Sequence, residues 1–330
     1  MKFPKISIVV PVYNNEETLG ACLQALRNIS YPNFEIIVVN DASTDNSATI
    51  AKRYNCRFMQ NTRNRGVAYS RNKGAEVAAG NMVAFIDSDI IVTPHGISQA
   101  FEQINQNSAG AVAGLFSEQV PFRNLCSRYK NHWVRFTHLN DRNQPVVLFG
   151  SGCLIDRELL LQVGGFDENY RKPNVEDTEI GSRIYAKGKK IILLSEFHLK
   201  HQKRYNLWTL LKTDYERARG LTRMILRRGP GKVEHRTCIT LSTILTVPLA
   251  CLTTLLICLS FVSGSWLWLV AAASSLSGIF FLNQGLLRYL RSHFTAIEFL
   301  GSTILFFLDM LAAGLGIGVG ILGYLLGYRY

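Results

Sequence analysis

Val83-Ala84-Phe85-Ile86-Asp87-Ser88-Asp89 is a continuous apolar run that ends in two carboxylates one residue apart. An unbroken apolar stretch closed by turn-forming residues reads as a strand buried on both faces, of the kind found in parallel sheets. In such sheets ligands gather beyond the carboxyl ends of the strands. In extended backbone residues i and i+2 project to one side, so Asp87 and Asp89 can address one ligand together. Carboxylate donors at this spacing suit Mg2+ or Mn2+. These hard ions take one or two protein carboxylates and leave the rest of the shell to substrate phosphates and water. Asp-Ser-Asp is also an ordinary turn sequence, so its neighbours decide between the two readings.

Those neighbours repeat one pattern. Residues 6–12 and 34–40 read as buried strands, 81–86 as the strand just quoted, and 16–28, 47–54 and 67–79 as helices between them. Strands alternating with helices predict an α/β domain with a mostly parallel sheet covered on both faces. The turns Tyr13-Asn14-Asn15, Asn40-Asp41-Ala42-Ser43 and Asp87-Ser88-Asp89 then converge on one cleft.

The rest of the chain has a different character. With 330 residues and 48% hydrophobic content it is apolar for a wholly soluble protein. Residues 237–287 contain no Asp, Glu, Lys or Arg, and residues 299–328 contain only Asp309. A bilayer core needs about 20 apolar residues per helix, so the first run is long enough for two spans turning at Ser263-Gly264-Ser265. The second makes one tilted span, or two short segments broken near Asp309 or in the glycine-rich stretch 314–320. About three spans are expected over 237–330.

Net charge is +12, and residues 200–236 carry 11 Lys+Arg against 3 Asp+Glu, whereas 1–199 carry 22 against 19. A basic flank before a first span marks the cytoplasmic side and favours anionic headgroups. Arg288 and Arg291 fit a second cytoplasmic loop, and a single last span would leave Tyr330 on the opposite side. No basic-aromatic module points to nucleic acid. The apolar run at 6–12 is short and broken by Pro11, so no signal peptide is expected and the first domain is expected in the cytoplasm. Seven cysteines without Cys-x-x-Cys spacing suggest neither a disulfide framework nor zinc.

Six ordered segments carry a resemblance: Pro11-Val-Tyr-Asn-Asn-Glu16, Val39-Asn-Asp-Ala-Ser-Thr-Asp45, Asn64-Arg-Gly-Val-Ala-Tyr-Ser-Arg-Asn72, Phe85-Ile-Asp-Ser-Asp89, Gly164-Gly-Phe-Asp167 and Glu176-Asp177. In order and spacing they resemble the motifs of family 2 glycosyltransferases, over roughly residues 5–205. The resemblance implies a GT-A fold and inverting transfer of a sugar from a nucleotide-diphospho-sugar, a UDP- or GDP-sugar. It implies that Pro11, Tyr13, Asp41, Arg71, Asn72 and Asp87 bind this donor, with Asp41 accepting from a pyrimidine N3–H and Arg71 steadying the diphosphate. A solvated helix face is the alternative reading of Arg71. It further implies that Asp89 ligates Mg2+ or Mn2+, that His201, rather than His198, joins it, and that Asp177 is the general base.

Glu176 and Glu179 are close enough in sequence to raise the pKa of Asp177. An acid-rich helix N-terminus is the bland reading of the same residues. Asp45 reads as a helix N-cap, and Gly150-Ser-Gly152 as the stretch beneath the acceptor.

Processive relatives such as cellulose and hyaluronan synthases carry a Gln-x-x-Arg-Trp type motif, where this chain has Glu216-Arg-Ala-Arg-Gly220. That departure favours transfer of one sugar to a membrane-associated acceptor, a lipid, lipid phosphate or lipid-linked glycan of the cell envelope. The expected organisation is a GT-A domain at 1–205, a basic juxtamembrane segment at 206–236 and a transmembrane region at 237–330. A non-catalytic, membrane-bound nucleotide-sugar binder that recruits or regulates a partner is the alternative, and intact Asp89 and Asp177 speak against it. A nicotinamide oxidoreductase would need Gly-x-Gly-x-x-Gly after the first strand, which is lacking.

Overall fold

The structure, a computed structural model, describes residues 3–140, 148, 150–171, 175–229 and 241–330. The chain divides into two compact units, the first formed mainly by residues 1–121 and 138–203, the second by 122–137, 204–232 and 239–330.

In the first unit strands and helices follow one another as β1 Ile6–Val12, α1 Glu16–Arg27, β2 Phe34–Asn40, α2 Ser47–Lys52, β3 Arg57–Gln60, α3 Val67–Glu76 and β4 Met82–Ile86. β5 Ile90–Val92, α4 Gly96–Asn107 and β6 Ala111–Phe116 come next. Helix α5, Leu125–Asn140, intervenes before β7 Gly152–Asp156, α6 Arg157–Gln162, α7 Glu176–Ala186 and β8 Ile191–His201. Among the described residues the strands form one sheet in the order β3-β2-β1-β4-β7-β6-β8-β5. Its first four strands are mutually parallel. Antiparallel pairing enters with β7, which runs against both β4 and β6, and with β5 against β8.

The continuous apolar runs form buried strands because each face of the sheet has its own core. Ile8 and Val10 of β1 join α1 and α4 on one side, while Val9 joins α3, α6 and α7 on the other. Pro11 is buried within β1 without breaking it. Val12 O accepts from Asp41 N on the β2 side, so Pro11 faces the β4 side, where the pairing already ended at Val9. Its missing N–H removes no ladder bond.

The second unit is helical. Its core joins the first part of α5 to five further helices: α8 Leu207–Arg228, α9 Leu241–Ser263, α10 Leu267–Leu282, α11 Gln284–His293 and α12 Ala296–Leu325. α8 opens with a capping box between Asn206 and Thr209. α9 and α10 are linked through Gly264, at φ 67°, where the turn was expected. Polar pairs fasten them, Thr253 Oγ1 to Ser275 Oγ at 2.8 Å and Asn283 Nδ2 to Thr246 Oγ1 at 2.6 Å. α11 bends 72° away from α10. α12 is one unbroken helix through Asp309 and the glycine-rich stretch. By length and composition α9 and α12 are each able to cross a membrane, and the bent pair α10–α11 is a third candidate. Of the basic segment expected at 206–236, residues 230–236 lie outside the described residues.

Candidate active site

The loops after β1, β2 and β4 interlock. Asn14, at φ 46°, accepts from Thr44 N through Oδ1 at 2.7 Å, and Asn15 Nδ2 donates to Ser88 Oγ at 2.7 Å. Asp45 accepts from Glu16 N at 2.9 Å and Ser47 N at 3.0 Å. Burial pushes its carboxyl upward, but these hydrogen bonds outweigh it and hold the group below the ordinary range. Asp45 thus serves the start of α2 from one residue before the N-cap Asn46 and also ties the β1 loop to the β2 loop. Tyr13, half exposed, stands over the same edge.

Asp41 is 3% exposed at the end of β2. Its carboxylate accepts from Asn61 Nδ2 at 2.7 Å, Arg65 N at 2.9 Å and Gly66 N at 2.7 Å, which fixes the loop entering α3. These bonds occupy much of the roughly four-site capacity of a carboxylate. A cavity of about 510 Å3 opens beside this loop, lined among others by Asn61, Arg63, Arg65, Tyr69 and Lys73. Arg65 lies 3.8 Å from the centroid of the Tyr69 ring.

Asp87 and Asp89 take different partners. Ile90 N donates to Asp87 O at 3.0 Å, so the backbone turns after β4 instead of staying extended, and each carboxylate takes its own protein partner while the Asp89 charge still acts on Asp87. Asp87 Oδ1 accepts from Arg71 Nη2 at 2.8 Å, and Arg71 Nη1 reaches Glu176 Oε1 at 3.0 Å. The Arg71 side chain is only 3% exposed, and both ends of its fork are engaged by protein carboxylates. Burial disfavours its charge, but Asp87 and Glu176 outweigh that and hold the guanidinium firmly protonated. It therefore lies neither on a solvated helix face nor free toward a diphosphate. Gly150 roofs it: a Cβ there would stand 2.6 Å from the guanidinium carbon.

Asn72, next along α3, pairs with the backbone of Phe166 through Nδ2 and Oδ1, each at 2.8 Å. That pairing seats the Gly164-Gly-Phe-Asp167 segment, in which Gly165 has φ 66° and no room for a Cβ beside Asn72. Phe166 in turn packs edge-on against Phe85, centroids 5.1 Å apart.

Asp89 Oδ2 meets His201 Nε2 at 3.3 Å, with side chains 24% and 15% exposed. Burial raises the Asp89 carboxyl, but His201 and Lys203 outweigh it and keep the group below the ordinary carboxylate range. Phe116, at the end of β6, stacks on the His201 ring, centroids 4.8 Å apart and planes 27° apart. His198, three residues earlier on β8, is exposed. Neither Phe116 nor the Glu176 end of the Arg71 bridge was anticipated from sequence.

Asp177 is half-buried in the first turn of α7, where Oδ1 accepts from Thr178 N at 2.7 Å. Its acidic neighbours each have a cation: Glu176 holds Arg71, and Glu179 holds Arg183. The first turn of α7 carries Glu176, Asp177 and Glu179, as the helix dipole favours.

One oxygen donor and one imidazole, adjacent and partly open, fit a hard divalent ion that draws its remaining ligands from a substrate diphosphate and water. No cluster of three His, Cys, Asp or Glu suited to a metal exists among the described residues.

Comparison with known proteins points to glycosyltransferases. Residues 7–164 match the model of the Glycosyl transferase family 2. Glycosyltransferase GlyG of Streptococcus pneumoniae serotype 4 is 26% identical over 239 residues, covering 64% of this chain and 74% of that one. The poly(ribitol-phosphate) beta-glucosyltransferase of Bacillus spizizenii is 33% identical over 129 residues, 36% of this chain and 20% of the relative. GlyG apart, the chain spans between 17% and 57% of the length of the other curated relatives it was compared with. Among solved structures, the mannosyltransferase PcManGT from Pyrobaculum calidifontis, in complex with GDP-Man and Mn2+, superposes with a TM-score of 0.61 at 18% identity. The match covers 96% of this chain and 88% of that one. The likeness shows the fold, an α/β GT-A domain followed by a helical region.

Proposed function

We propose, from the match of residues 7–164 to the Glycosyl transferase family 2 model, that this chain moves a sugar from a UDP- or GDP-sugar to a membrane-associated acceptor with inversion at the anomeric carbon. The observation that carries the reading is the Arg71 bridge. Through Asp87 it grips the end of β4, next to Asp89, and through Glu176 it grips the start of α7, next to Asp177. A candidate metal ligand and a candidate base are thereby held in one rigid frame.

In this reading the loops after β1 and β2 receive the nucleotide, with Asp41 fixing the loop around it. Asp89 and His201 hold Mg2+ or Mn2+, which when bound neutralises charge on the departing nucleotide diphosphate. Asp177 takes the proton from the acceptor hydroxyl as that oxygen attacks opposite the leaving phosphate. A carboxylate suits the step, and Asp177 lies in the first turn of α7 directly after Glu176, which the Arg71 bridge holds. Arg71 and Asn72 act on the donor indirectly, by fixing Asp87 and the segment ending at Asp167.

The acceptor is a lipid, lipid phosphate or lipid-linked glycan. Two helices apolar enough to cross a membrane support this, because joining the catalytic domain to a membrane segment raises its effective concentration toward membrane acceptors. The basic flank favours the cytoplasmic face.

The metal assignment is tested by Asp89→Ala. Transfer and metal-dependent donor binding should be abolished while the thermal unfolding midpoint stays near that of the parent. Unchanged, chelator-sensitive turnover in the variant would remove Asp89 from the ligand set.

A further inference from the structure

The helical unit contains a pairing that bears on how it meets the bilayer, independently of the catalytic assignment. α8 lies lengthwise along the C-terminal half of α12, and the two run in the same direction. Ala218 lies beside Gly316, Thr222 beside Gly320, and the Arg223 guanidinium beside Gly323, where side chains on α12 would collide with α8. The pairing continues to the chain end: Arg223 Nη1 donates to Tyr330 O at 2.6 Å, and Arg227 lies 4.0 Å from the centroid of the Tyr330 ring. Earlier along α12, Asp309 is fully buried with Tyr129 Oη at 3.3 Å, and the neighbouring Lys130–Asp214 ion pair is buried too. Arg128 pairs with Glu298 near the start of the same helix.

α12 therefore has two unlike faces. One is covered by helices bearing Arg128, Lys130, Arg219 and Arg223. The other exposes an apolar stripe in two patches, Ile297, Leu300 and Ile304 near its start and Leu315, Leu322 and Leu325 toward its end, all within one quarter of the helical circumference, with residues 305–314 between them partly or fully covered. Were α12 to cross the bilayer upright, its C-terminal half would carry α8 with it. Several guanidinium groups and the Lys130–Asp214 pair would then lie at hydrocarbon depth, an arrangement strongly disfavoured without a functional pathway. At about 45 Å for 30 residues, α12 is also longer than the roughly 30 Å core.

We propose that α12 is not a span. Its exposed stripe rests along one leaflet of an anionic phospholipid bilayer, with α8 between it and water and the arginines of α8 at headgroup level. Tyr330 then stays on the side of α8, the reverse of what a single crossing predicts from charge alone. The stripe matches the acyl boundary and the basic partner helix matches anionic headgroups, a two-signal contact of the kind that holds interfacial helices.

The test uses the full chain in membrane vesicles of both orientations, without reactive native cysteines and with single cysteines at Lys212→Cys on α8 or at Tyr330→Cys. A membrane-impermeant maleimide should label both in the same vesicle orientation. Labelling of the two from opposite faces overturns the proposal. Fluorophores at Ile297→Cys, Leu315→Cys and Leu325→Cys, quenched by brominated phospholipids, should report one common shallow depth. A span instead gives shallow ends and a deep Leu315, and overturns it. Absence of quenching at all three sites, with self-association of the chain, would assign the stripe to a second copy and also overturn it.

Discussion

Arg71 is the residue on which the site's geometry depends most. Truncating it breaks the buried pair with Glu176, which is 4% exposed, and breaking a buried pair costs about 3–5 kcal/mol. Arg71→Met should lower unfolding free energy by that amount in chemical denaturation. Arg71→Lys should recover part of the stability but little transfer, because one ammonium cannot grip two carboxylates as a planar fork does. A loss below about 1 kcal/mol in Arg71→Met would show that the bridge does not hold the frame. Phe116 acts on a smaller scale. Removing the ring that orients His201 should weaken Mn2+-dependent donor binding by roughly 10-fold or more, as supporting residues of metal ligands commonly do. Calorimetric titration with and without the ion would show it, and an unaltered affinity for Phe116→Ala would reduce the stack to packing.

At the scale of elements, Gly150 and Asn72 show how the loops are seated. Gly150→Ala presses a methyl into the guanidinium of Arg71 and should cost about 1–3 kcal/mol, with transfer falling further than stability explains. Thermal unfolding beside initial rates would separate the two, and a variant with parental stability and rate would mean that the loop yields freely. β1, β2 and β4 were legible because both faces of the sheet are covered, so their residues form continuous apolar runs. β3, with its Arg57 and Gln60 ends exposed, carries no such run, and β8 continues past its apolar start through Ser195, Glu196 and His198. Those strands depend on register with neighbours rather than on local pattern. Arg71 was misread for a related reason. It occupies a core-facing position of α3 beside Ala68 and Ala75, and nothing local reveals two carboxylates waiting beneath it, one of them 105 residues away. The turn at residues 87–90 is likewise invisible to simple strand alternation, which reads these residues as extended.

For the whole molecule, the central claim is that the chain is a transferase whose base is Asp177. Asp177→Asn keeps the shape and hydrogen bonding of the side chain but cannot accept a proton. The most direct test incubates the parent and this variant with labelled UDP- and GDP-sugars and a membrane lipid extract, follows products by mass spectrometry, and measures donor affinity alongside. The account predicts a glycosylated lipid product with the parent and a fall of roughly 10² or more with Asp177→Asn at nearly unchanged donor affinity. Near-normal turnover by the variant, or donor binding without any transfer by the parent, would contradict it.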